Sequence, residues 1–146
     1  MINLYCNNPT AGKTDGTLVS QNMTQTSPLS ITLKVGESRA AKVALRTGEG
    51  YKCDGATVSV AYWNGTEYKN NGGNTDRWSI AQDNGYASDT EALNNATWKK
   101  GSCEITGEIT STANKVFWIK VDTAEGDEPI NDTSISICVK AAVEAV

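Results

Sequence analysis

The sequence predicts an all-β protein, a sandwich of seven to eight mostly antiparallel strands entered through an irregular N-terminal arm. Short segments repeat an apolar–polar alternation of period two, the pattern of a strand buried on one face. Turn clusters of Gly, Asn, Asp and Pro separate them every eight to twelve residues or so. Little helix is expected: residues 85–95 read as loop, with one helical turn near Thr90 to Leu93.

The clearest elements lie late in the chain. In 116–121, Phe117, Ile119 and Val121 share one face, with Trp118 and Lys120 on the other. After a turn containing Gly126, Asp127 and Pro129, the residues Ile135, Ile137, Val139, Ala141 and Val143 recur at every second position.

The rest follows in chain order. Residues 1–28 form the arm or edge segment, with short pieces at 2–6 and at Leu18 and Val19 and a turn at Asp15-Gly16. The domain proper spans 29–146. Leu29, Ile31, Leu33 and Val35 alternate with polar residues, Gly36-Glu37 turns, and Ala41, Val43 and Leu45 alternate again, which predicts a strand pair. Asp54-Gly55 closes a loop. Val58, Val60 and Tyr62 form the next inward face. Asn64-Gly65 marks a two-residue hairpin, which places Trp63 opposite Thr66 and makes Trp63 and Tyr68 diagonal neighbours on the outward face. A short strand is expected at 77–81, and Trp98 starts the next strand region, which runs to Thr110. In the latter, Cys103, Ile105 and Ile109 point inward, and Gly107 takes an inward slot that signals a bulge or a close backbone approach. Trp118 faces outward and is expected to be covered by the 70–95 loop.

Composition excludes several functions. The chain has 146 residues, 13 basic and 17 acidic side chains, a net charge of -4 and no histidine. A mildly acidic chain without a basic run does not suit nucleic acid or an anionic membrane surface. Without histidine there is no Ser-His-Asp or Cys-His pair and no His-ligated zinc. No phosphate-cradling glycine motif opens a helix. The expectation is a non-enzymatic protein without a nucleotide cofactor. No signal peptide and no apolar run of about 20 residues is visible, so the expected place of synthesis is a cytoplasm. Cys6, Cys53, Cys103 and Cys138 are too dispersed for a metal knuckle. Free thiols are favoured, with a Cys6–Cys53 bridge as the alternative. The triplets starting at Asn22, Asn64, Asn95 and Asn131 fit the glycosylation pattern but carry no meaning without secretion.

Two clusters stand out as binding candidates. Trp63 and Tyr68, with Trp78 nearby, form an aromatic group that suits a sugar ring or a protein partner. Asp122, Glu125, Asp127 and Glu128 crowd one connection, and several carboxylate oxygens on a flexible loop suit Ca²⁺. The alternative for these acids is a solvated turn.

The runs Asp15-Gly16-Thr17-Leu18-Val19-Ser20, Pro28-Leu29-Ser30-Ile31, Phe117-Trp118-Ile119-Lys120-Val121 and Glu128-Pro129-Ile130-Asn131-Asp132-Thr133-Ser134, with the closing alternating strand, resemble small immunoglobulin-like proteins encoded by tailed bacteriophages and prophages. The resemblance implies an immunoglobulin-like β-sandwich and a virion structural role, most simply as a capsid decoration or accessory protein. Its implied partners are other capsid or tail proteins and further copies of itself, since trimers are common among decoration proteins of this kind. Assembly in the host cytoplasm agrees with the absence of a visible leader. The chain departs from antibody-type domains in lacking paired core cysteines around a buried Trp and a Tyr two residues before Cys138. The alternative function is a carbohydrate- or receptor-binding module, on a phage tail or fibre or a bacterial surface, that uses the aromatics.

Overall fold

In a computed structural model, described for residues 1–21, 28–128 and 132–146, two antiparallel sheets pack face to face. Among the described residues seven strands have five or more residues: β1 (Ile2–Cys6), β3 (Ser38–Thr47), β4 (Tyr51–Trp63), β6 (Trp78–Gln82), β7 (Ser102–Thr110), β8 (Lys115–Asp122) and β9 (Ile135–Lys140). Three two-residue pieces complete them: β2 (Thr17–Leu18), β5 (Tyr68–Lys69) and β10 (Glu144–Ala145). The first sheet runs β2-β1-β3-β8-β6. The second is built around β4, with β7 and β5 along one edge and β9 and β10 along the other.

The alternation places the core. Val43 and Leu45 of β3, Ile80 of β6 and Phe117 and Ile119 of β8 meet Val58 and Val60 of β4 and Ile105 and Ile109 of β7 between the sheets. Leu4 and Cys6 belong to the same core, so β1 is an integral strand next to the edge of its sheet. The following loop is held by buried Asn114, whose amide accepts from Gly12 N–H at 2.9 Å and donates to the Thr10 carbonyl at 3.1 Å.

Four expectations need correction. Residues 29–35 are not a strand, although they lead into the turn at Gly36. Leu29 and Ile31 do pack on the core, but the segment makes no ladder with β3. Its ties are isolated bonds: Arg39 donates to the Thr32 carbonyl at 2.6 Å, the Lys34 N–H donates to Glu37 at 2.7 Å, and the Lys34 carbonyl accepts from the Glu37 N–H and the Thr123 hydroxyl, both at 3.1 Å. Asp54-Gly55 lies inside β4 and closes no loop. Gly55 (φ +84°) and Gly107 (φ +104°) flank a register shift between β4 and β7, the irregularity that an inward Gly107 implies. The late alternating segment ends as a strand at Lys140, and β10 resumes pairing with β4 at Glu144.

The fourth correction concerns the first sheet, which is buried on both faces. Ala40 and Ala44 of β3, Ser79 and Ala81 of β6 and Val116 and Trp118 of β8 point away from the main core and are nonetheless buried. A partial third layer covers Ala40 and Trp118 on this face. Trp118 packs with Ala40 and with Ala92 of the helix α1 (Asp89–Asn95), ringed by Tyr86, Leu93 and Trp98. The helix starts where Ser88 accepts from the Glu91 N–H at 3.1 Å while Glu91 accepts from Ala87 N–H, a reciprocal cap written in the sequence as Ser-Asp-Thr-Glu. This confirms the expected cover over Trp118.

All four cysteines are free thiols. Cys6, Cys53 and Cys103 are buried and Cys138 is half-buried on the outer face of β9. Burial pushes each thiol above its ordinary value, which depletes the reactive thiolate at neutral pH. Alkylation of native protein at neutral pH is therefore expected to be slow and to begin at Cys138, with the other three labelled only as the protein opens. Mass mapping of a timed iodoacetamide reaction checks this order. Early labelling of Cys53 or Cys103 contradicts it.

Candidate functional site

The first candidate lies where β4 runs into β5. The Asn64 side chain accepts from the backbone N–H groups of Thr66 at 2.8 Å and Glu67 at 2.9 Å, and the Asn64 backbone N–H donates to the Glu67 carbonyl at 3.1 Å. This makes a four-residue loop, not the two-residue turn that Asn-Gly suggests, because the side chain supplies bonds that a wider loop needs. Trp63 therefore stands directly opposite Tyr68, and their rings meet edge to face with centroids 5.2 Å apart and planes at 63°.

Tyr68 then reaches across the sheet. Tyr62 pairs with Lys69 of β5 on one side and with Ile135 of β9 on the other, so these strands flank β4. The Tyr68 hydroxyl nevertheless accepts from Ser136 of β9 at 3.3 Å. Ser136 pairs with Ala61, so the Tyr68 ring crosses β4 above that residue. This accounts for the 1 % exposure of Ala61 on an outward-facing position. Tyr68 itself stays 39 % exposed, and Trp63 is half-buried. Trp78 does not join them. It is on β6 in the other sheet and packs against the main core. The expected trio is a pair.

The second candidate is the acidic connection after β8, whose residues 129–131 lie outside the described residues, as do the triplet beginning at Asn22 and Asn131 itself. Asp122 accepts from the Ser38 hydroxyl at 2.5 Å and lies 3.7 Å from the Lys120 ammonium and 3.9 Å from that of Lys100. Asp127 grips Arg77 with both oxygens, Nη2 to Oδ1 at 3.0 Å and Nη1 to Oδ2, and accepts from the Ala124 N–H at 2.8 Å. Glu125 and Glu128 are exposed, and Glu125 lies against Gly36. The four carboxylates thus face different partners. Among the described residues no group of three or more Cys, Asp or Glu side chains is placed to hold a metal.

What this region does hold is a polar brace. Asp132 accepts from the Asn74 amide at 2.6 Å, Asn74 accepts from Arg77 Nε at 3.3 Å, and Arg77 pairs with Asp127. Two distant connections are tied through the 3₁₀ turn Thr75–Arg77. Nothing in the local sequence signals Asn74 and Arg77, because their partners lie about fifty residues away. Arg77 and the Ala124 N–H hold the Asp127 carboxyl below its ordinary range. Burial pushes Asp132 up, but bonds from Asn74 and Ser134 outweigh it and leave its carboxyl lowered too.

The sign of the pH effect follows. A carboxylate with a depressed folded pKa contributes stability above its unfolded value, near 3.9 for Asp, and loses it as pH falls through the folded value. Asp127→Asn together with Asp132→Asn is expected to flatten the acid limb of the stability–pH profile below about pH 4 while lowering stability at neutral pH. Denaturant midpoints across that range measure it. An unchanged acid limb contradicts the role of the brace.

No family model, characterised protein or solved structure matches this chain.

Proposed function

We propose that the chain is a non-enzymatic structural protein of a phage particle, a decoration or accessory protein that docks on other capsid or tail proteins through a preformed, immunoglobulin-like sandwich. The observation that carries this reading is the β9 side of the molecule. β9 pairs with β4 along one edge and has no strand on the other among the described residues. Its inward residues Ile135, Ile137 and Val139 are only half-buried. An edge of this kind offers main-chain hydrogen bonds to a neighbouring protein. The Trp63–Tyr68 pair adjoins it through Ser136 and adds the residue types that anchor protein contacts. The resemblance of the strand and turn runs to phage immunoglobulin-like proteins supplies the partner class.

The aromatic pair suits a protein anchor better than a sugar platform. Stacking on a sugar needs an open ring face, whereas Tyr68 lies over Ala61 and meets Trp63 edge to face. Reconstitution onto particles lacking the protein tests the reading. Wild-type protein is expected to bind and to co-sediment, and Trp63→Ala to bind more weakly while folding normally. Absence from purified virions together with failure to bind particles overturns it. A glycan signal that Trp63→Ala abolishes transfers the site to the carbohydrate-binding alternative.

A further inference from the structure

We infer that Asn64 is a site of spontaneous covalent modification, at which the Gly65 amide nitrogen attacks the Asn64 side chain and converts it to aspartate and isoaspartate. Three Asn-Gly dipeptides occur in the chain, Asn64-Gly65, Asn71-Gly72 and Asn84-Gly85. Each has the intrinsic chemistry, since glycine places no Cβ beside the attacking nitrogen. The fold separates them.

The reaction needs three things from the structure. The backbone nitrogen of the glycine must be free to lose its proton to solvent base and bond to the asparagine Cγ. Negative charge then develops on Oδ1 and must be stabilised. Room must exist for a five-membered ring. The intermediate expels Nδ2 as ammonia and leaves a succinimide. Water then adds to either carbonyl. Breaking the bond to Cγ gives aspartate, and breaking the backbone bond gives isoaspartate. One water is consumed, one ammonia is released and nothing is oxidised or reduced.

Asn64 meets these needs. Its Oδ1 already accepts from the N–H groups of Thr66 and Glu67, at 2.8 and 2.9 Å, where the charge of the addition step appears. The Gly65 N–H makes no hydrogen bond among the described residues, and the space beside its Cα is open to at least 4 Å. At Asn84 the corresponding Gly85 N–H donates to Asp83 Oδ1 at 3.2 Å, and that carboxylate opposes loss of the amide proton. At Asn71 the loop is packed down. A Cβ on Gly72 would stand 3.3 Å from the Tyr62 hydroxyl, and the Gly72 carbonyl accepts from both the N–H and the hydroxyl of Thr75.

The product alters the aromatic site. It places a new negative charge in the loop, and isoaspartate also adds a backbone methylene to the four residues that set Trp63 opposite Tyr68. Ageing at this turn therefore loosens the pair from its register.

Full-length protein is incubated in warm neutral buffer, native and in denaturant, then digested and mapped for the gain of one mass unit and for isoaspartate at all three sites. In the native sample conversion at Asn64 is expected to lead Asn71 and Asn84 severalfold, and in denaturant the lead shrinks. Asn64→Gln removes the leading signal and leaves the other two unchanged. Conversion at Asn64 that equals or trails either other site in native protein overturns the inference. So does a lead of the same size in denaturant, which would assign the selectivity to local sequence and not to the fold.

Discussion

Trp118→Ala is expected to lower stability by about 3–5 kcal/mol, the range for removing a large buried aromatic side chain. Against a total of roughly 5–15 kcal/mol for a domain, that is a large loss. The indole is 1 % exposed on the outer face of β8. It packs on Ala40 and Ala92, meets the Tyr86 ring at 6.4 Å and donates its N–H to Asp83 at 2.9 Å. Small alanines beneath it leave nothing to collapse into the space. The loss also removes the surface on which α1 rests, and a seven-residue helix does not persist alone in water. Trp118→Phe keeps much of the packing but leaves Asp83 without the indole donor, so it is expected to cost less, about 1–3 kcal/mol. Urea titrations followed by the fluorescence of the remaining tryptophans measure both. A cost for Trp118→Ala below about 1 kcal/mol, the level of an ordinary surface substitution or little more, would show that the third layer does not support the sheet.

That layer also marks how far the sequence can be read. The period-two pattern locates seven main strands because one-sided burial writes itself directly into the alternation, as in Val58 and Val60 or Ile105 and Ile109. The same rule hides the second buried face of the first sheet. There the outward residues are Ala40, Ala44, Ser79 and Ala81, small enough to look neutral, and only the run Val116-Phe117-Trp118-Ile119 hints at burial on both sides. Alternation also misleads at 29–35, since it reports which side chains meet the core and not whether the backbone finds a ladder. In the candidate site, Trp63 and Tyr68 were legible as an outward pair, but their register depended on the bonds Asn64 makes within its own loop. The acidic cluster was legible as charge alone. Its disposition depends on Arg77, Ser38 and Lys100, each far away in sequence, and a contact of that range leaves no local trace.

Gly55 gives the second large effect, and it tests the one place where strand pairing departs from regular register. Residues Lys52, Cys53 and Asp54 pair with Thr110, Ile109 and Glu108, whereas Ala56 pairs with Ile105, so β7 carries one residue more than β4 across the irregularity. The shift lets both Cys53 and Ala56 face the core although three positions separate them. Gly55 makes this turn of phase with φ +84°, and a Cβ placed on it would stand 2.8 Å from the Ile105 carbonyl oxygen. The obstructing atom is backbone of β7, held in its ladder with β4, and cannot swing aside. Gly55→Ala is therefore expected to lose roughly 2–4 kcal/mol, combining left-handed backbone strain with overpacking. Gly50 is the internal control. It has a similar φ of +82° with nothing within 4 Å of its would-be Cβ, so Gly50→Ala carries the backbone term alone, about 1–2 kcal/mol. The difference between the two variants isolates the contact with Ile105. Equal losses for Gly50→Ala and Gly55→Ala in denaturant titrations would mean that β4 and β7 separate freely at the bulge, and that the bulge does not fix the register of the second sheet.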